Sequence, residues 1–532
     1  SFADEIIVID GSNLTQLASL TGFETLSTFN NGSLTLSESQ HDTFTTINGA
    51  GSNTFTLASA NGNGMVIADA DIETYILNAP FNITLSGTAQ NITGSSSVDT
   101  INIAGLTVTG TLAGGNGVDV LQMSNGANTN NATVSSFESL TLSSGASVTM
   151  TESQHDSFST VIAPGTESII ISSASSGLTG HSAVETYILS VANTFTLGSA
   201  SQNLTGSSSP DIVNVNALSP TGTLSGGSGI DTISMTNGGN LSGATINSFE
   251  NLSIAAGGSV TMTSSQFSGF TGTVSGTGTE SITLVGDGNV STVPAIENYT
   301  LGDDSTNSRA ITVTWATHSV TASSATDAVT FDLGTLAFTG TITGNNTVAD
   351  TLKLSNGGDI TAGTVSNVSN LTLASGASVI MTPSQHNAFG GTIAAPGTES
   401  ITINGDGNFT IYSPVESYNV GDDSSNTRTI TIDNGSTNVT ANSASDVITF
   451  NIGSTAYSGT LTGDNSQGDT VLASNGADVS GGSYNNIGTL NVSSGATVAI
   501  DAANIANFST SIQGSGGTEK LKIMDGGTFN FS

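Results

Sequence analysis

Carboxylates are the residues in this sequence whose type and spacing could do chemistry. Twenty of them stand one spacer ahead of a short alternating apolar run: Asp4, Glu24, Glu73, Asp99, Asp119, Glu138, Glu167, Glu185, Asp211, Asp231, Glu250, Glu280, Glu297, Asp327, Asp350, Glu399, Glu416, Asp446, Asp469 and Glu519. Asn53, Ser369 and Gly488 hold the same place in three further runs. Serial carboxylates offer two kinds of chemistry. Each can accept hydrogen bonds from backbone N–H groups at the turn before its own strand. They can also hold Ca²⁺, a hard cation that takes oxygen ligands. Capping is expected at the typical position and Ca²⁺ at some. Asn53 and Ser369 fit capping, because both accept without charge. The candidate metal ligands are Asp119, Asp231, Asp99 and Asp211. To these are added Asp69, Asp71 and Glu73, which alternate along one face, and Asp287 and Asp406 in two Gly-Asp-Gly-Asn turns.

Other reactive groups are scarce. With no cysteine there is no disulfide, thiolate ligand or thiol nucleophile. His41, His155 and His386 share one Ser-Gln-His corner, where another copy has Phe267, so a structural role is expected. His181 and His318 have no partner motif nearby in the sequence. The basic residues are Arg309, Lys353, Arg428, Lys520 and Lys522. Arg309 and Arg428 closely follow the acid pairs Asp303-Asp304 and Asp422-Asp423, which reads as a surface salt bridge of little energetic weight. No phosphate loop, nucleotide fingerprint or zinc spacing is present. Nearly every acid belongs to a repeated position, whereas catalysis needs a unique constellation. No catalytic or cofactor-binding residue is therefore assigned, and the chain is not expected to be an enzyme.

The elements that position the acids are short strands. Glu138 with Leu140 and Leu142, and Glu167 with Ile169 and Ile171, show the two-residue period of a half-buried strand. Asn125-Gly126, Asn237-Gly238 and Asn356-Gly357 supply corners. No convincing amphipathic helix is found, and no apolar run of about 18 residues exists to span a membrane.

A longer period organises these strands. Phe137 begins FESLTLSSGASVTMTESQHDSF, and related segments begin at Phe23, Phe249, Val368 and Ile487. The long repeat is about 115 residues, giving divisions at 1–22, 23–136, 137–248, 249–367, 368–486 and 487–532. Within it the acids step by about 30, 18, 28, 21 and 19 residues, in an order that recurs. Reading each step as one turn gives an all-β parallel β-helix (β-solenoid) of about 23 stacked turns in about 4.5 long repeats, one continuous solenoid. The acids would then form a single column. The chain begins and ends partway through a repeat and lacks an initial Met, so a longer native protein or end-to-end joining of subunits is expected.

Composition sets the class of partner. There are 41 acids against five Lys and Arg, a formal charge of −36, and only 9% charged residues in all. Such a surface repels nucleic acid and anionic lipid and attracts cations. Neither nucleic-acid binding nor membrane insertion is expected.

Gly114-Gly115-Asn116-Gly117-Val118-Asp119-Val120-Leu121-Gln122 and Gly226-Gly227-Ser228-Gly229-Ile230-Asp231-Thr232-Ile233-Ser234 resemble the GGxGxDxUx nonapeptide of RTX calcium-binding β-rolls. The long unit as a whole is similar to β-strand repeats of Gram-negative bacterial surface proteins, including S-layer proteins and type I-secreted adhesins. The turn before Asp119 reads GSSSVDTIN and departs from the nonapeptide, as do later copies such as TGNNTVADTLK and TGDNSQGDTVL. The resemblance implies an acidic, secreted, extracellular or cell-surface protein with Ca²⁺ as cofactor. The expected function is a self-assembling surface layer or filament, its partner another copy of itself. The alternatives are the stalk of a large adhesin, with a cell-surface glycan as partner, and a carbohydrate-active β-helix enzyme.

Overall fold

A computed structural model describes residues 4–60, 64–236, 238–302, 307–322, 326–421, 426–441, 446–464 and 468–526. The chain forms two compact units, Ser1–Val260 with Gly269–Ser275, and Thr261–Ser268 with Gly276–Ser532. Both are parallel β-solenoids, and the chain makes about 25 turns, slightly more than the acid steps alone indicate.

The turn follows from parallel pairing. A strand joins a parallel neighbour only after a long excursion, and here that excursion is one circuit of about 20 residues. In the first unit Thr100 registers with Val120, and Val120 with Ser139. Ser147 registers with Ser168, and Ser168 with Thr186. Alternate residues point inward, so Leu140, Leu142, Val148 and Met150 are buried. Tyr75, Tyr187, Tyr299 and Tyr418 recur at one core position and are all at most 1% exposed. The corner at Asn125-Gly126 shows how a circuit bends. Gly126 takes φ 86°, and the Asn125 side chain accepts the Ser147 N–H at 3.0 Å. Asn237 lies outside the described residues.

The acids do not form one column, and this corrects the sequence reading. Sheets hand over to one another along each unit. Asn82–Thr84, Thr100–Asn102, Val120–Met123, Ser139–Leu142 and Thr160–Ile162 lie in one sheet of the first unit. Ser147–Met150, Ser168–Ile171 and Thr186–Leu189 belong to a second, and Asn193–Thr196, Ile212–Asn214, Thr232–Met235 and Asn251–Ile254 to a third. Asp99, Asp119 and Glu138 precede strands of the first sheet, Glu167 and Glu185 of the second, and Asp211, Asp231 and Glu250 of the third. Acid steps near 20 stay within one sheet. Steps near 30 cross to the next. Single bridges from Thr107 to Asn128 to Thr149 mark the side of the circuit on which the second sheet grows.

Short helices, none of them an amphipathic helix, are also present. Glu38–His41, Glu152–His155, Pro383–Ala388 and Ala502–Ile505 each occupy about one turn. They are too short for an amphipathic period. The signal of the first three is a capping box: Ser37, Thr151 and Thr382 cap helices whose third residues are Gln40, Gln154 and Gln385. The same glutamines bind the circuit below. The Gln154 amide donates to Thr129 O at 2.9 Å and Ala132 O at 3.0 Å, and Gln385 to Ile360 O at 2.6 Å and Gly363 O at 2.9 Å.

Replacing Gln154 by Ala strips partners from two main-chain carbonyls and from the Thr151 N–H. The expected cost is about 1–3 kcal/mol, read as faster hydrogen exchange at Thr151 and the Thr129–Ala132 corner with distant turns unchanged.

Candidate functional site

The repeated acids build ladders of carboxylate-to-amide hydrogen bonds. Asp99 accepts the Phe81 N–H at 2.7 Å, Asp119 accepts that of Asp99 at 2.7 Å, and Glu138 accepts that of Asp119 at 2.9 Å. The same series runs from Asn193 to Asp211 to Asp231 to Glu250, at 2.7, 2.7 and 2.9 Å. Glu185 caps Glu167 at 3.0 Å, Glu297 caps Glu280 at 2.9 Å, and Glu416 caps Glu399 at 2.9 Å. In each case the acceptor comes from the following turn. Asn53 fits the same role. Its side-chain oxygen takes the Gly32 N–H at 3.1 Å, and its own N–H goes to Glu73 at 2.6 Å.

The second carboxylate oxygen separates the candidate metal ligands. In Asp99 it accepts the Ser95 N–H at 2.7 Å, and in Asp211 the Ser207 N–H at 2.7 Å. In Asp119 and Asp231 the second oxygen is buried without a hydrogen-bond partner. The cause lies four residues upstream. The place of Ser95 is taken by Gly115 at φ 103°, and that of Ser207 by Gly227 at φ 96°. A Cβ on Gly115 would lie 2.2 Å from Ser95 O, so only glycine lets the two turns stack there. Gly114 is a close approach of the same kind: its Cβ would meet Ser136 O at 1.9 Å and the free Asp119 oxygen at 3.0 Å. The glycines of the nonapeptide thus have a packing role of their own. Burial holds the carboxyls of Asp119 and Asp231 above the usual carboxylate range, with neighbouring acids adding to the effect. In the later copies, where the glycine pattern decays, the second oxygen is capped again. Asn345 donates to Asp350 at 2.5 Å, and Asp464 to Asp469 at 2.9 Å.

The remaining candidates are used locally. Asp69 accepts the Asp71 N–H at 2.9 Å, while Glu73 turns to Asn53. These three are not gathered around one point. Asp287 and Asp406 sit in exposed turns, where Asn307 and Asn426 donate side-chain N–H groups to them. Among the described residues no three His, Cys, Asp or Glu side chains converge as a metal-holding group.

The histidine corners are buried. Nε2 of His41, His155 and His386 lies 3.3, 3.0 and 3.1 Å from the hydroxyls of Tyr75, Tyr187 and Tyr418. His181 and His318 prove to have partners from neighbouring turns. The rings of His155 and His181 are 4.7 Å apart, and His318 Nδ1 lies 2.8 Å from Thr292 Oγ1. Burial depresses His155, and it pushes His386 down to about 4.

The two arginines read as surface residues are buried. Arg309 and Arg428 are 4% and 2% exposed, so the expected surface salt bridges do not describe them. Arg428 meets Asp446 at 2.5 Å and donates to Gly405 O at 2.9 Å and Gly421 O at 2.6 Å. Arg309 likewise donates to Gly286 O at 3.1 Å and Gly302 O at 2.6 Å. Asp303, Asp304, Asp422 and Asp423 lie outside the described residues. The signal was parity: Arg309 and Arg428 stand two residues before Ile311 and Ile430, so they share the inward face. No helix among the described residues is long and apolar enough to cross a membrane.

Comparison with protein-family models, curated protein sequences and solved structures finds no match.

Two outcomes follow from these burials. His386 is neutral in the fold, so its contribution is lost as pH falls from 6.5 towards 4. His386→Phe, the residue type already at Phe267, should remove roughly 2 kcal/mol of acid destabilisation between pH 7 and 4.5, measured by denaturant titration at both pH values. Arg428→Ala strands the buried Asp446 carboxylate and should cost about 3–5 kcal/mol. Hydrogen exchange at Asn426 and Ile448 locates the loss.

Proposed function

We propose that this chain is a non-enzymatic extracellular structural protein that assembles with copies of itself into a surface layer or filament, stabilised by Ca²⁺. The observation that carries this reading is the use of the repeated carboxylates. Acid after acid is engaged by a backbone N–H of the adjoining turn, which serves the stacking of turns rather than the binding of a substrate. The sheet faces supply a surface for assembly. The strands Ser378–Met381, Ser400–Ile403, Ser417–Val420, Asn438–Ala441, Thr460–Thr462 and Ser483–Asn485 form one sheet in the second unit. Their outward residues are Ser, Thr, Asn and a single Ile380, with no charge among them. Copies of a chain with net charge −36 can approach through such a face with least carboxylate repulsion.

Asp119 and Asp231 are the places that suit Ca²⁺. Each holds a buried carboxylate oxygen free of hydrogen bonds, beside glycines against which main-chain carbonyls of neighbouring turns pack closely. A hard cation there would take its other ligands from main-chain carbonyls and waters. Asp99 and Asp211 suit it less, since both of their oxygens already accept N–H groups.

Electron microscopy of the purified chain, with Ca²⁺ and then with excess chelator, tests the assembly. Ordered sheets or filaments that dissolve in chelator are expected. Monodisperse particles in both conditions would reject self-assembly and favour the adhesin stalk, with a cell-surface glycan as partner. Ca²⁺ should also raise the melting temperature by several degrees. Asp119→Asn with Asp231→Asn should abolish that rise, whereas Asp99→Asn should keep it.

A further inference from the structure

One corner recurs four times with a different residue in each copy. Asp69, His181, Val293 and Tyr412 each donate a backbone N–H to the tyrosine hydroxyl six residues on, at 2.8, 2.8, 2.8 and 2.9 Å. This shared bond makes the four positions equivalent. In two copies the residue supplies a ring to the histidine corner. The His181 ring lies 4.7 Å from that of His155. Tyr412 stacks on His386 with centroids 4.1 Å apart and planes 19° from parallel. The Tyr412 hydroxyl then shares its one proton between two carbonyls within reach, Phe389 O at 2.8 Å and His386 O.

The first copy lacks this ring. Asp69 has no ring to offer, and its carboxylate accepts the Asp71 N–H at 2.9 Å. Beside His41 lies a cleft of about 360 Å³, walled by Phe44, Ile47, Met65 and Ile67. Met65 and Ile67 are 57% and 72% exposed, high values for large apolar side chains. Asp42 and Asp69 stand at the same cleft and make it anionic. The floor is held still, because His41 is fixed by Asp42 at 3.1 Å and by the Tyr75 hydroxyl at 3.3 Å. The main-chain carbonyls that receive the Tyr412 hydroxyl in the fourth copy also have equivalents here, His41 O and Phe44 O. In both copies the phenylalanine N–H meets the histidine carbonyl at 3.2 Å.

We propose that the cleft at His41 is a binding site for a small phenolic amine, whose ring takes the place that Tyr412 occupies in the fourth copy. The ring stacks on His41 between Phe44 and Ile67. The hydroxyl reaches the carbonyls of His41 and Phe44. The ammonium lies towards Asp42 and Asp69, so a cation is favoured over an anion of the same shape. Nothing in this site depends on the assembly proposed above.

The test uses the full chain and three probes of one shape: tyramine, p-cresol and 4-hydroxyphenylacetate. The readout is the imidazole C–H resonance of His41 by NMR, with His155 and His386 as internal controls. Tyramine should shift His41 saturably and bind at least tenfold more tightly than 4-hydroxyphenylacetate, with p-cresol between them. Asp69→Tyr should fill the cleft from within and abolish binding, while the control resonances report an intact fold. Asp42→Asn with Asp69→Asn keeps the cleft open, and should weaken tyramine while sparing p-cresol. The proposal is overturned by no saturable shift in the natural chain, by equal binding of the anion, or by undiminished binding to Asp69→Tyr.

Discussion

The structure depends on one hydrogen bond, the carboxylate of one turn accepting the backbone N–H at the strand start of the turn before. Inside a strand the ladder satisfies the main chain. At the residue just ahead of the strand the ladder has not begun, yet the site is buried. An unpaired N–H there would cost about 1–3 kcal/mol, repeated turn after turn. A side-chain acceptor from the next turn removes that cost and makes each turn the cap of its predecessor. Because a hydrogen-bonded carboxylate is stable in a polar cage of amides, a chain this acidic can stack its charges closely.

The same bond explains where charge is placed. Acids gather at corners and strand starts, where main-chain donors are available, and the broad sheet faces are left to Thr, Ser and Asn. Lys353 with Asp332, 2.8 Å apart, is a departure from that division on a sheet face, and the two neutralise each other. The proposed assembly through neutral faces and the proposed cation binding at strand starts therefore rest on separate parts of the fold. The first concerns side chains pointing out from the sheets, the second concerns oxygens that the turns have not used.

Repetition also makes differences between copies informative. At the Ser-Gln-His corner the scaffold is constant, held by the capping box and by the glutamine that reaches the turn below. What varies is the ring set upon it: His155 with His181, His386 with Tyr412, and His41 beside an open cleft. A position free to vary on a fixed frame is where a solenoid can acquire a site without disturbing its stack.

Strand positions, inward parity, the long repeat and the parallel solenoid were legible in the sequence. Each is a local consequence of alternation and turn chemistry, written every few residues. Leu140 and Leu142 behave as their spacing indicates, and Asn53 caps as a neutral acceptor should. The division of the acids among several sheets was not legible. It depends on which side of the circuit a strand starts, and a step of 20 or of 30 acquires that meaning only once the path around the corner is known. Nor could sequence separate Asp119 from Asp99, since the free oxygen of Asp119 arises from the φ of Gly115 and the approach of Ser95 on the turn below. The pairing of His155 with His181, the inward turn of Arg428 to Asp446 and the cleft at His41 were likewise decided by stacking. They join residues about 20 to 30 positions apart that meet only when one circuit closes upon another.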